Sequence, residues 1–289
     1  MITIENEFVF AGFNEVGAEL CSLTNLNTGV EHMWHADPKF WGRSAPILFP
    51  CVGESNNREI RVDGNSYKVS RHGFVRTMEF QVIQQEADRV VFSIQCNEET
   101  LAMYPFKFEL RVEYRLMGST LHQDMTVVNT DVREIAFQIG GHPAFAVPFA
   151  GGNYSDYRIE FPEKVTADRH LLTEAGTYSG ETQPVLQNTN QLKLEKQLFL
   201  EDAIVFKNFP LRSASLIHAE TGVGLRVDFE GFHHLGLWAA KDADFVCIEP
   251  WIGCADDQDF SGDFLEKDSV VKLNPEASFN CAFSIGLIG

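Results

Sequence analysis

The stretch "FKFELRVEYRL", residues 106 to 116, limits what the chain can become more than any other feature. In it Phe106, Phe108, Leu110, Val112, Tyr114 and Leu116 alternate without a break with Lys107, Glu109, Arg111, Glu113 and Arg115. Strand side chains repeat every second residue, so the pattern gives a strand one apolar and one charged face; a helix would spread the same apolar groups around its circumference. The segments "RVVFSIQ", "QDMTVVN", "REIAFQI", "VGLRVDF" and "CAFSIGL" repeat the alternation, and "VDGNS", "LMGST", "VNTDV" and "AETGV" supply turns between them. No window long enough for an ordinary helix keeps a period of about 3.6 residues between a cap and a stop. Strands without crossover helices pair antiparallel, so the expected architecture is all-β, a large sandwich of antiparallel sheets.

A chain of 289 residues is long enough for one large core or for two ordinary domains. No Gly/Ser/Pro-rich linker, composition shift or internal repeat divides it, and a single domain over residues 1–289 is expected. The stretch 151–200 is polar and irregular and reads as long loops with short edge strands.

Charge excludes some partners. A formal net charge of −18 argues against a nucleic-acid backbone, which needs clustered Lys and Arg to displace counterions. No run of about 18 apolar residues is present to cross a membrane as a helix. The start, "MITIENEFVF", lacks a basic segment followed by an apolar one, and the expected location is the cytoplasm. The six cysteines, Cys21, Cys51, Cys96, Cys247, Cys254 and Cys281, form no CxxC pair, and they read as buried reduced thiols with no zinc site.

Four stretches join an ionisable residue to glycine or proline, which aims a side chain with little freedom left to lose: "FWGRSAPILFPCVGE", "SRHGFVR", "GGHPAF" and "CIEPWIGCADD". His142, at the end of a strand and between glycine and proline, fits a general acid near neutral pH or a histidine that closes a turn. Glu249 ends the apolar run "FVCI", where a carboxylate needs a partner; it reads as a general base beside the Trp251 ring or as a salt-bridged strand end. His72, with Arg71 before it and Arg76 four residues on, reads as a substrate contact or as a turn histidine. His233 and His234 are neighbours on a strand and point to opposite faces, so they cannot chelate one ion together. Trp41, Trp238 and Trp251 offer rings on which the C–H face of a sugar can pack. Glycoside hydrolysis needs two carboxylates; Glu249 stands out, with Asp256 and Asp257 a weak second source. GxSxG, GxGxxG and P-loop motifs are absent.

The order "RSAPILFPCVG", "RHGFVR", "GGHPAFAVPF", "GFHHLGLWAAKDADFVCIEPWIG" and "EKDSVVKLNPEASF" resembles the aldose 1-epimerase (galactose mutarotase) superfamily, in particular its LacX-like branch, from about residue 5 to the end. The resemblance implies a β-supersandwich with a hexose on its concave face. It implies that Glu249 takes the proton of the anomeric hydroxyl, that His142 donates to the ring oxygen, and that His72 binds the sugar, with no cofactor or metal. Related sequences often carry an arginine after "VG", where this chain has Glu54. Arg43 or Arg58 is expected to supply that cation, and Trp238 and Lys241 of "LWAAKDADF" to be further pocket residues. The expected partner is thus a monosaccharide, an aldohexose such as galactose or glucose, bound by a monomer or homodimer. Two other readings stay open: a sugar-6-phosphate 1-epimerase, which would use a cluster of arginines from Arg43, Arg58, Arg71 and Arg76, and a carbohydrate-binding protein without catalysis.

Overall fold

In the computed structural model, which describes residues 1–289, the alternating residues from Phe106 to Leu116 are all buried. The strand Phe108–Met117 lies inside a nine-stranded antiparallel sheet, paired on one side with Thr120–Asn129 and on the other with Arg89–Gln95. From one edge to the other that sheet runs Tyr178–Lys193, Tyr157–Leu172, Ser213–His218, Gly224–Asp228, Ser278–Ile288, Thr120–Asn129, Phe108–Met117, Arg89–Gln95 and Gln81–Gln85. A six-stranded sheet is built around Phe245–Ile252, which pairs with His234–Trp238 on one side and with Ile139–Gly141 and Ala144–Ala146 on the other. The fold is an all-β sandwich, as the period-2 pattern requires. Helix is confined to short turns and one α-helix, Glu98–Met103, which Asn97 caps through its side chain.

Aromatic contacts join the two sheets: Phe49 packs on Phe108 with ring centroids 4.9 Å apart, and Phe232 on Phe283 at 6.1 Å. They belong to a core of 72 buried residues that runs from Ile4 to Leu287. Burying each large apolar side chain contributes about 1.5–3 kcal/mol, so this interior dominates the folding energy. A smaller apolar cluster, Leu48, Val52, Tyr178, Val205, Trp251, Cys254 and Ala255, lies apart from it. All six cysteines are free thiols. No helix is long and apolar enough to cross a membrane.

Residues 151–200 correct the expectation of loops with short edge strands. Two strands of 16 residues each, Tyr157–Leu172 and Tyr178–Lys193, pair as a long hairpin at the edge of the nine-stranded sheet. Beyond Phe161 both faces of the first strand are largely in water, and the register shifts four times between Glu160 and Leu172. A ribbon exposed on both faces and broken by bulges has no reason to alternate apolar with polar, so its sequence carries no strand signal. Its outer strand contains Pro184, which an edge tolerates because no further ladder needs its missing N–H.

Candidate active site

Glu249 sits near the middle of Phe245–Ile252, its Cα opposite Gly236. Along this strand Val246 and Ile248 enter the large core, while Glu249 and Trp251, two residues apart, line a cavity of about 270 Å³. Two glycines make room for Trp251. A Cβ on Gly236 would lie 2.8 Å from the ring, and one on Gly140, which pairs directly with Trp251, would also lie 2.8 Å away. The second glycine of "GGHPAF", Gly141, faces the Phe283 ring, where a Cβ would come within 2.6 Å. Both glycines before His142 thus serve close packing, and the backbone N–H of His142 is fixed on the carbonyl of Pro46.

The imidazole of His142 is enclosed by rings. Trp41 stacks on it at 4.9 Å, while Trp238 and His72 meet it edge-on at 5.7 and 5.5 Å. Its Nε2 lies 3.1 Å from Oε2 of Glu249, a close contact rather than an aligned hydrogen bond, since Glu249 Oε2 has no partner of good geometry. Burial dominates the ionisation of both groups. It pushes the Glu249 carboxyl well above the usual carboxylate range, against the opposing pull of the Arg71 charge. It pushes His142 down to about 3, and the charges of Arg76 and Arg71 add to that shift.

His72 has φ 66, in the left-handed region, and is tied to the neighbouring loop twice: its N–H donates to the Gly53 carbonyl, and its Nδ1 accepts from the Gly53 N–H at 3.1 Å. An accepting Nδ1 leaves the proton of the neutral ring on Nε2. Burial, His142 and the arginines hold His72 well below its ordinary pKa, so it remains a neutral N–H donor.

The cavity therefore brings together eight of the residues singled out from sequence: Trp41, Arg71, His72, Arg76, His142, Trp238, Glu249 and Trp251. Three others lie elsewhere, which corrects their expected placement. Arg43 donates to the carbonyl of Arg76 at 2.8 Å and pairs with Glu19 at 3.5 Å, behind the cavity wall. The Arg58 side chain is 77% exposed and reaches Glu54 at 3.6 Å from the solvent side. Lys241 is exposed in the turn between two strands of the six-stranded sheet. The cations on the wall are Arg71 and Arg76, which share the rigid "RHGFVR" segment with His72. Neither Asp256 nor Asp257 lines the cavity: Asp256 pairs with Lys267 at 2.7 Å, and Asp257 faces Lys207. His234 is bound to Asn208 and Ser269, and His233 is exposed.

Six cavity residues had no signal in the sequence: Leu172, Gly176, Tyr178, Asp202, Ala203 and Val205. Asp202 sits in "LEDAIVF" without a flanking glycine or proline, and Leu172 and Tyr178 flank the hairpin turn. Five buried side-chain atoms on the cavity residues have no partner within the chain: Arg71 Nε, His142 Nδ1, Tyr178 OH, Glu249 Oε2 and Trp251 Nε1. Each unsatisfied buried polar atom costs about 1–3 kcal/mol, so five of them around one cavity mark it as the place in the fold where polar groups are left unpaired. One trio of metal-ligating side chains also converges here: His142, Cys247 and Glu249 place ligand atoms within 4.8 Å of one another. An ion held there would have to displace the protons of a thiol and a carboxyl that burial both holds in their neutral forms.

Residues 1–278 match the family model for aldose 1-epimerase. The chromosomal LacX protein of Lactococcus lactis subsp. lactis is 33% identical, the match covering 99% of each chain. Among solved structures, a galactose mutarotase related enzyme from Lactobacillus acidophilus superposes with a TM-score of 0.93 at 33% identity, covering 100% of this chain and 97% of that one. A galactose mutarotase-like protein from Lactobacillus casei gives 0.92 at 32% identity, with 100% of both chains covered.

Proposed function

Given that the chain belongs to the aldose 1-epimerase family, we propose that it interconverts the α and β anomers of an aldohexose such as galactose or glucose, with Glu249 as base and His142 as acid. The observation that carries this reading is the set of five unpartnered polar atoms around one cavity whose floor holds a carboxyl and an imidazole 3.1 Å apart. The neutral pair becomes competent when the Glu249 proton passes to His142, which gives a carboxylate and an imidazolium. The carboxylate then takes the proton of the anomeric hydroxyl; the C1–O5 bond breaks as C1–O1 becomes a carbonyl, and the imidazolium gives its proton to O5. Rotation about C1–C2 turns the other face of the aldehyde toward the O5 hydroxyl. Reclosure returns the proton from O5 to His142 and the proton from Glu249 to O1, so acid and base exchange roles and the enzyme ends as it began. His72, as a fixed N–H donor, and the ring of Trp251 position the sugar.

The test is polarimetry of freshly dissolved α-D-glucose and α-D-galactose against a blank and a Glu249→Gln variant. Acceleration by the wild type and its loss by about 100-fold or more in the variant is the expected result. A variant as active as the wild type would remove Glu249 from the mechanism. Quenching of tryptophan fluorescence by sugar in both proteins, with no acceleration in either, would make the protein a carbohydrate binder.

A further inference from the structure

The strand Phe108–Met117 turns its apolar residues to the core and Glu109, Arg111, Glu113 and Arg115 to the opposite face, four charges of alternating sign. That outer face continues over Arg89–Gln95 on one side and over Thr120–Asn129 and Ser278–Ile288 on the other. Together the four strands contain three arginines, three carboxylates and no lysine, so the chain's net charge of −18 lies wholly outside them. The charges are held in place. Arg89 grips Glu113 through Nε and Nη2, both at 2.7 Å, Arg111 grips Glu109 at 2.7 and 2.8 Å, and Arg115 faces Asp124 at 3.7 Å. Arginine without lysine suits a protein interface, and side chains already fixed lose little freedom on docking.

The pattern is complementary to itself. Val112 pairs with Phe92 on one neighbour and with Met125 on the other, and Met125 pairs in turn with Cys281. A two-fold axis that lies in the plane of the face and crosses the strands along this row lays each strand antiparallel on its own copy. Glu109 then comes opposite Arg115 of a second copy and Arg111 opposite Glu113, and symmetry repeats both contacts. On the neighbouring strands Asp124 meets Thr126, Arg89 meets Gln95 and Ala282 meets Asn280. No like charges come together in this arrangement, whereas the surplus of acid elsewhere makes copies of the chain repel. A groove of about 550 Å³ beside Glu109, walled in part by Gln81, Ser93 and Gln95, leaves room for the incoming Arg115 side chain. Four strands about 4.8 Å apart and about 34 Å long offer about 650 Å² on each copy, enough for an interface of ordinary size.

We infer that this outer sheet face is a self-association surface: two copies pack it back to back about the axis through Val112, and the protein is a homodimer. The face lies on the far side of the nine-stranded sheet from the six-stranded one that carries Glu249. The two cavities therefore open away from the contact.

The experiment measures mass by sedimentation over about 1–100 µM chain for wild type, Arg111→Glu, Glu113→Arg and an equimolar mixture of these two variants. Wild type is expected at twice the chain mass of 32.5 kDa. Each variant alone sets like charges against each other at both symmetric contacts and should weaken association by about 100-fold or more. The mixture restores opposite charges at both contacts and should return to the dimer mass. Thr126→Glu leaves the three ion pairs of the sheet untouched and sets an acid opposite Asp124, so it should weaken the dimer as well. Wild type at the monomer mass at about 100 µM would overturn the inference. So would a dimer unchanged in Thr126→Glu or in either single variant, or a mixture of folded variants that stays monomeric. The readout is mass, so a failure here leaves the epimerase reading standing, and absence of turnover leaves the dimer.

Discussion

Glu249 and His142 hold one proton between them, and burial sets where it rests. Because the two titrate as a coupled pair, the active form is the one with a single proton, lost in acid by gain of a second and in base by loss of the first. With the carboxyl pushed up and the imidazole down to about 3, that form spans a wide range of pH. The kcat/KM profile is therefore expected to stay level to about pH 5, and an acid limb centred on the ordinary histidine value of 6.5 would show that His142 titrates as if in water. The same burial has a cost in stability. The folded pKa of Glu249 lies above its unfolded value of 4.5, so its contribution is full below 4.5 and is lost as pH rises through the folded value. Glu249→Gln removes that loss. In urea titrations the variant should gain stability over wild type as pH rises from 5 to 9, by up to about 1.4 kcal/mol per pH unit; a constant difference would mean that the carboxyl is not perturbed.

At the scale of elements, strands that bury one face and expose the other were legible in the sequence, because their side chains must alternate. The hairpin Tyr157–Lys193 was not, because most of it is wet on both faces. Site residues followed the same rule. His72, His142 and Glu249 stand beside glycine or proline, a local mark of an aimed side chain, and their order along the chain carried a family resemblance. Asp202 and Tyr178 reach the cavity through pairings with distant strands, which leave no local mark. Glycine is the connecting case. "GGH" signals restricted backbone, but that Gly140 and Gly236 clasp Trp251 emerges only once Ile139–Gly141 and His234–Trp238 pair with Phe245–Ile252. Gly236→Ala would press a methyl into the Trp251 ring and toward Glu249 Cβ, 3.3 Å away. The expected outcome is a loss of about 1–3 kcal/mol in urea unfolding, with a shifted tryptophan emission and reduced turnover. Unchanged stability and emission would show that the sheet yields there without strain.

For the molecule as a whole, the site depends on a buried charge pair outside it. Lys267 and Asp256 meet at 2.7 Å with side chains 4% and 6% exposed. Lys267 also approaches Gln138, whose side chain accepts from the Val52 N–H and donates to the Cys254 carbonyl, and the second oxygen of Asp256 accepts from the Asn56 N–H. Segments near residues 52, 138, 256 and 267 are thereby joined, and through the Asp256 carbonyl the network reaches Tyr178 at the hairpin tip. Breaking a buried pair from one side strands a charge, so Lys267→Met should cost about 3–5 kcal/mol. Replacing both partners removes the stranded charge, and Lys267→Met with Asp256→Leu should recover most of that loss, though not the bond from Asn56. The two variants also separate stability from placement. The double variant should fold well yet show a raised KM, because the loop that fixes Tyr178 has lost one of its anchors, whereas kcat, set by Glu249 and His142, should change less. Urea titration and polarimetric kinetics on both proteins decide it: a double variant no more stable than the single one would show that the pair contributes no stranded charge, and an unchanged KM would show that the hairpin tip is placed without it.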